Sequence, residues 1–162
     1  MSQEHIATYL NDHLAGSLVA LELLEHLEKV HADTDIARFA AKLRADIAED
    51  RLELEALMAR LKVTESRTRK ATAWLSEKVT ELKLKLDDPG DGLLRLLEAF
   101  EALSLGIEGK RGLWRALAAA AEHAPALQVA DYEVLTRRAE EQRGRVEAER
   151  LKAARRALTQ EP

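Results

Sequence analysis

The chain predicts an all-α fold, a bundle of long helices, on three observations. Glycine (7) and proline (3) are scarce among the 162 residues, so little interrupts a helix. Apolar residues recur at steps of three and four, which places them on one face of a helix. Clear breakers, HADTD at 31–35, DDPGDG at 87–92 and Pro125, divide the chain into helix-sized pieces. The length fits one domain, 1–162, with a proper core.

The first helix is expected over 2–30, with Ile6, Leu10, Leu14, Leu18, Leu21, Leu24 and Leu27 as its apolar face. Asp33 or Thr34 can cap the second, over 35–61, whose stripe is Ile36, Phe39, Ala40, Leu43, Ile47, Leu54, Leu57 and Leu61. Ala71, Leu75, Val79, Leu82 and Leu86, with Trp74 beside them, predict a helical crossover between the second and third bundle helices. The third bundle helix, over 91–123, carries Leu93, Leu96, Leu97, Phe100, Leu103, Ile107, Trp114, Leu117 and Ala118. Gly106, Gly109 and Gly112 recur within it, each costing about 1 kcal/mol of helix propensity relative to alanine, which reads as close helix packing or a bend. The last helix, over 127–158, faces inward with Val129, Tyr132, Leu135, Ala139, Val146, Ala153 and Ala157.

Asp50 interrupts the second stripe. A carboxylate there costs several kcal/mol unless paired, hydrogen-bonded or protonated. Ser17, Ser104, Arg111, Gln142 and Arg143 also project toward the inward arcs, and Glu108 sits at the edge of its own. Counted from the turns at 1.5 Å per residue, Ser17, Asp50, Glu108 and Gln142 share one level about 20 Å along the bundle. The leading reading is a satisfied internal network, with Arg111 or Arg143 as the cation for Asp50, since no lysine or histidine is expected to point inward there. A metal or ligand site is the other reading.

Two helical hairpins joined by a long crossover, with carboxylates at mid-height, resemble the ferritin-like superfamily over nearly the whole chain, as a divergent bacterial member. The resemblance implies a four-helix bundle. Di-iron members place a Glu on the first and third helices and Glu-x-x-His on the second and fourth. Glu108 matches the third-helix position, and Glu49 and Glu141 stand near the motif glutamates. Leu52 and Gly144 occupy the histidine positions, and Ser17 sits near where the first Glu belongs. The expectation is therefore a non-catalytic bundle without a di-iron site or other cofactor, an interaction or structural protein that self-associates, as a dimer. The alternative is a divalent-metal binder or metal-dependent oxidase using Asp50, Glu53, Glu108 and Glu141, with Asp46 as a further oxygen donor; such a site suits Mg²⁺, Ca²⁺ or Mn²⁺.

Other signals are weaker. Glu28-Lys29-Val30-His31 reads as Glu-x-x-His, with Glu25 one turn before it, but it closes the first helix, where a protonated histidine complements the dipole. His123 ends the third bundle helix and has the same reading, His13 is expected to be packed or hydrogen-bonded, and His5 and His26 are expected to face solvent. The arginines of the last helix are interleaved with glutamates and read as a solvated face; with a net charge of −4, no nucleic-acid partner is expected. No cysteine is present, which excludes disulfides and thiolate chemistry. No apolar run spans a bilayer and no signal peptide opens the chain, so no integral membrane association and a cytoplasmic location are expected. The Trp74 segment as a lipid or partner-helix binder is a third possibility.

Overall fold

The computed structural model describes residues 2–65, 77, 80–81 and 92–159. Four long helices make up nearly all of it: α1 (Gln3–Val30), α2 (Asp35–Arg60), α3 (Gly92–Ala121) and α4 (Tyr132–Thr159). A single 3₁₀ turn, Pro125–Leu127, lies between α3 and α4, and there is no strand among the described residues. The stripe of Trp74, Leu75, Val79 and Leu82 falls outside the described residues. No described helix is long and apolar enough to cross a membrane.

Local chemistry sets the ends. Thr34 caps α2 by accepting from the Ala37 amide at 3.4 Å, while Asp33 turns the chain with φ 64°. At the far end Lys62 adopts φ 55°, its amide donating to Ala59 and that of Val63 to Met58. That is a Schellman closure, with Val63 and Met58 both buried as its apolar contact. The last helix starts later than expected from the sequence. Residues 125–127 tighten into the 3₁₀ turn, and the Asp131 side chain accepts from the Val134 amide at 3.0 Å. The Tyr132 hydroxyl donates to the Leu127 carbonyl at 2.7 Å and ties the turn to α4.

Polar contacts give the topology. Ser17 with Arg51, and Glu28 with Arg44, fix α1 and α2 as an antiparallel hairpin. Glu101 with Arg150, and Lys110 with Gln142, do the same for α3 and α4. Asp46 with Arg145, and Asp50 with Gln142, join α2 to α4.

The core has two parts. One cluster gathers Leu23, Leu27, Leu43, Ile47, Phe100, Leu103, Ile107 and Val146. The other gathers Leu10, Leu14, Leu54, Leu57, Trp114, Leu117, Leu127 and Leu135. Each fully buried leucine or aromatic contributes on the order of 1.5–3 kcal/mol. Leu18 and Leu93, placed on the apolar faces from sequence, are exposed instead, because each lies at the edge of its helix's stripe.

Candidate functional site: the polar layer between two cores

Between the two clusters every helix contributes a polar or missing side chain. On α1 it is Gly16 and Ser17, between Leu14 and Leu23; on α2 it is Asp50, between Ile47 and Leu54. On α3 it is Lys110, between Ile107 and Trp114; on α4 it is Gln142, between Ala139 and Val146.

Asp50 is the hub, with a side chain only 2% exposed. Its Oδ2 accepts from Lys110 Nζ and from Gln142 Nε2, the latter at 2.8 Å. Lys110 Nζ also donates to Gln142 Oε1, which closes a three-membered ring of contacts. Asp50 Oδ1 lies 3.0 Å from Arg138 Nη2, an ion pair without the alignment of a hydrogen bond. Arg138 is shared with Glu49 at 3.2 Å. Burial pushes the Lys110 ammonium below the ordinary lysine pKa, and the neighbouring Asp50 carboxylate opposes that shift.

The cation for Asp50 is thus Lys110, seconded by Arg138, and neither Arg111 nor Arg143. Arg111 pairs with Glu108 at 2.7 Å and Glu140 at 3.2 Å, and Arg143 lies 3.4 Å from Glu108. These pairs sit on the outer edge of α3 and α4, where Glu108 is half exposed and its hydrogen bond from Arg111 holds its carboxyl below the usual range. The physical reason is reach. Lys110 is three residues past Ile107 and four before Trp114, so it stands in the stripe itself. Its stem can lie along the core while its ammonium meets the carboxylate. That spacing was legible in the sequence. Arg138, one turn before Gln142 on α4, carried a weaker signal of the same kind.

The other expected members divide. Ser17 joins the layer: its hydroxyl donates to the Leu14 carbonyl at 2.6 Å and accepts from Arg51 Nη1 at 2.8 Å. Gln142 joins it through Asp50, whereas Ser104 is half-buried one turn or more away on α3. Glu53 and Glu141 are exposed, so the quartet Asp50, Glu53, Glu108 and Glu141 is not brought together. Among the described residues no group of three or more His, Cys, Asp or Glu is placed to hold a metal. Glu28 of the Glu-x-x-His sequence is engaged by Arg44, with Nη2 at 3.2 Å. The basic residues of α4 meet carboxylates: Arg137 with Glu133, Arg145 with Asp46, Arg150 with Glu147, and Lys152 with Glu149.

Beside the layer, between α1 and α3, lies a cavity of about 250 Å³. Its floor is Ile47, Asp50, Leu54, Ile107, Leu113 and Trp114, all buried. At its rim stand Asp12, Gly16, Gly106 and Gly109, all exposed. A Cβ added at any of these glycines, or at Gly112, would meet nothing within 4 Å. The glycines of α3 therefore serve no close packing against a neighbouring helix, and α3 is helical throughout. His13 lines the same cavity, its ring edge-on to Tyr9 at 4.8 Å, and burial pushes its pKa down.

Comparison with protein-family models, with curated proteins and with solved structures finds no match to this chain.

Proposed function

We propose that the protein is a non-catalytic helical bundle of the ferritin-like type, an interaction or structural protein that self-associates and carries no di-iron centre. One observation carries the reading. At mid-height, where the ferritin-like pattern gathers carboxylates around metal ions, Asp50 is bonded to the Lys110 ammonium. Lys110 and Arg138 neutralise the buried carboxylate from within the chain, so Asp50 has no need of a metal for charge balance. The antiparallel hairpins α1–α2 and α3–α4 suit the same architecture.

The outer face of the first hairpin supports self-association. Ala41, Ala45, Ala48 and Leu52 form a stripe along α2, with Leu52 63% exposed. Leu18 and Leu21 of α1 border it in a shallow groove that also holds Glu22, Glu25 and Arg44. Both signs of charge flank an apolar strip, which a second copy related by a two-fold axis can match.

Elemental analysis of untagged protein after incubation with Fe(II), with oxygen uptake followed in parallel, tests the first part. The expected result is no stoichiometric iron and no uptake above buffer; one or two tightly held iron atoms per chain with oxygen consumption overturns it. Sedimentation velocity tests the second, with a dimer expected and a monomer at all concentrations refuting it.

A further inference from the structure

We propose that the cavity between α1 and α3 binds a small, uncharged, largely apolar molecule whose single carbonyl oxygen accepts a hydrogen bond from Lys110. The volume sets the size. An apolar cavity of ~150 Å³ holds benzene, so about 250 Å³ holds on the order of ten non-hydrogen atoms. The walls set the character, since Ala20, Ile47, Leu54, Ile107, Leu113 and Trp114 offer hydrocarbon and aromatic surface. Three glycines of the lining, Gly16, Gly106 and Gly109, keep the space open in helices that would be more stable with alanine there.

The polar end sets the functional group. An ammonium has three donors. Two of those of Lys110 go to Asp50 and Gln142, and the third finds no acceptor among the described residues. Trp114 Nε1, also of the lining, is a buried donor with no hydrogen-bond partner among the described residues, whereas Ser17, Arg51 and Asp50 are already engaged. The Ser17 hydroxyl donates to Leu14, and Arg51 donates to Leu14 and Ser17 and pairs with Glu55 at 2.8 Å. Asp50 Oδ2 accepts twice, and its Oδ1 faces Arg138. Charge decides between a carbonyl and a carboxylate. Lys110 is balanced by Asp50, and Asp12 adds a negative rim, so an anionic ligand would sit beside a carboxylate with no uncompensated cation to hold it.

Three probes of equal heavy-atom count separate these requirements: acetophenone, its hydrocarbon isostere α-methylstyrene, and benzoate. Each is titrated into the ¹⁵N-labelled full chain and followed through the amides of Gly106, Gly109 and Lys110. Acetophenone should bind saturably, about tenfold more tightly than α-methylstyrene, as befits one hydrogen bond from a charged donor. Benzoate should bind more weakly than acetophenone. Lys110→Met should erase the preference for acetophenone over the hydrocarbon. Gly109→Leu should fill the cavity and abolish binding while circular dichroism shows the helices intact; its Cβ enters open space, so this variant holds even if Lys110→Met fails to fold. Absence of saturable acetophenone binding, tighter binding of benzoate, equal binding of the hydrocarbon, or undiminished binding to a folded Gly109→Leu overturns the proposal. None of these readouts depends on whether the bundle holds iron.

Discussion

Replacing Lys110 with methionine removes the buried cation and keeps an unbranched side chain of similar length. Asp50 is then left with a side chain 2% exposed, Gln142 Nε2 at 2.8 Å and Arg138 Nη2 at 3.0 Å. Removing one partner of a buried ion pair costs ~3–5 kcal/mol. Arg138 still faces Oδ1, so the lower end, about 3 kcal/mol, is expected. For a chain of this size that lowers the melting temperature by on the order of 6–12 °C. Asp50→Leu strands Lys110 instead. Burial already depresses the Lys110 pKa, so the amine can shed its proton and keep its bond to Gln142, and this variant should cost less. The double variant Asp50→Leu/Lys110→Met should recover most of the loss, because no unpaired charge remains from the couple. Urea unfolding at neutral pH, followed by the helical circular dichroism signal, completes the cycle. A coupling of about 2 kcal/mol is expected, and one under about 0.5 kcal/mol refutes the central pair. Arg111→Met and Arg143→Met, whose partners lie at the surface, should leave the midpoint unchanged; a coupling of Asp50 to either arginine would equally defeat the assignment.

Other outcomes follow from the same geometry. Burial holds the His13 pKa below its ordinary value of 6.5, so its neutral form favours the fold. That contribution is complete above 6.5 and is lost as pH falls through the lowered folded pKa, so melting of the native chain should fall more steeply from neutral pH to about 5 than that of His13→Gln. Equal slopes would show that His13 is not shielded from solvent. Gly106→Ala and Gly109→Ala should each raise stability by about 1 kcal/mol, since the added methyl meets nothing within 4 Å; a lowered urea midpoint would mean that a neighbour packs there after all. Leu52→Asp should shift sedimentation toward a monomer without altering melting, and an unchanged sedimentation coefficient would remove α2 from the self-association surface.

The sequence by itself determined the four described helices, most of their inward faces and the level of the polar layer. Period-3.6 spacing fixes which residues share a face, and the turns fix how far along each helix a residue stands. Asp50 stood out because it broke an otherwise apolar stripe, and Gln142 could be placed with it by counting alone. Lys110 could have been placed in the same way, since its spacing from Ile107 and Trp114 is that of a core residue. Tertiary structure decided which cation reached the carboxylate. A four-carbon stem brings the ammonium in from the stripe, while Arg111 and Arg143 find Glu108 and Glu140 at the surface before they can turn inward. It also decided what the glycines do. A glycine in a helix reads alike from sequence whether a neighbouring backbone crowds it or nothing stands opposite. Only the spacing of α1 from α3 makes Gly16, Gly106 and Gly109 the rim of a cavity, because that distance is set by the packing of both hairpins at once and by no single stretch of chain.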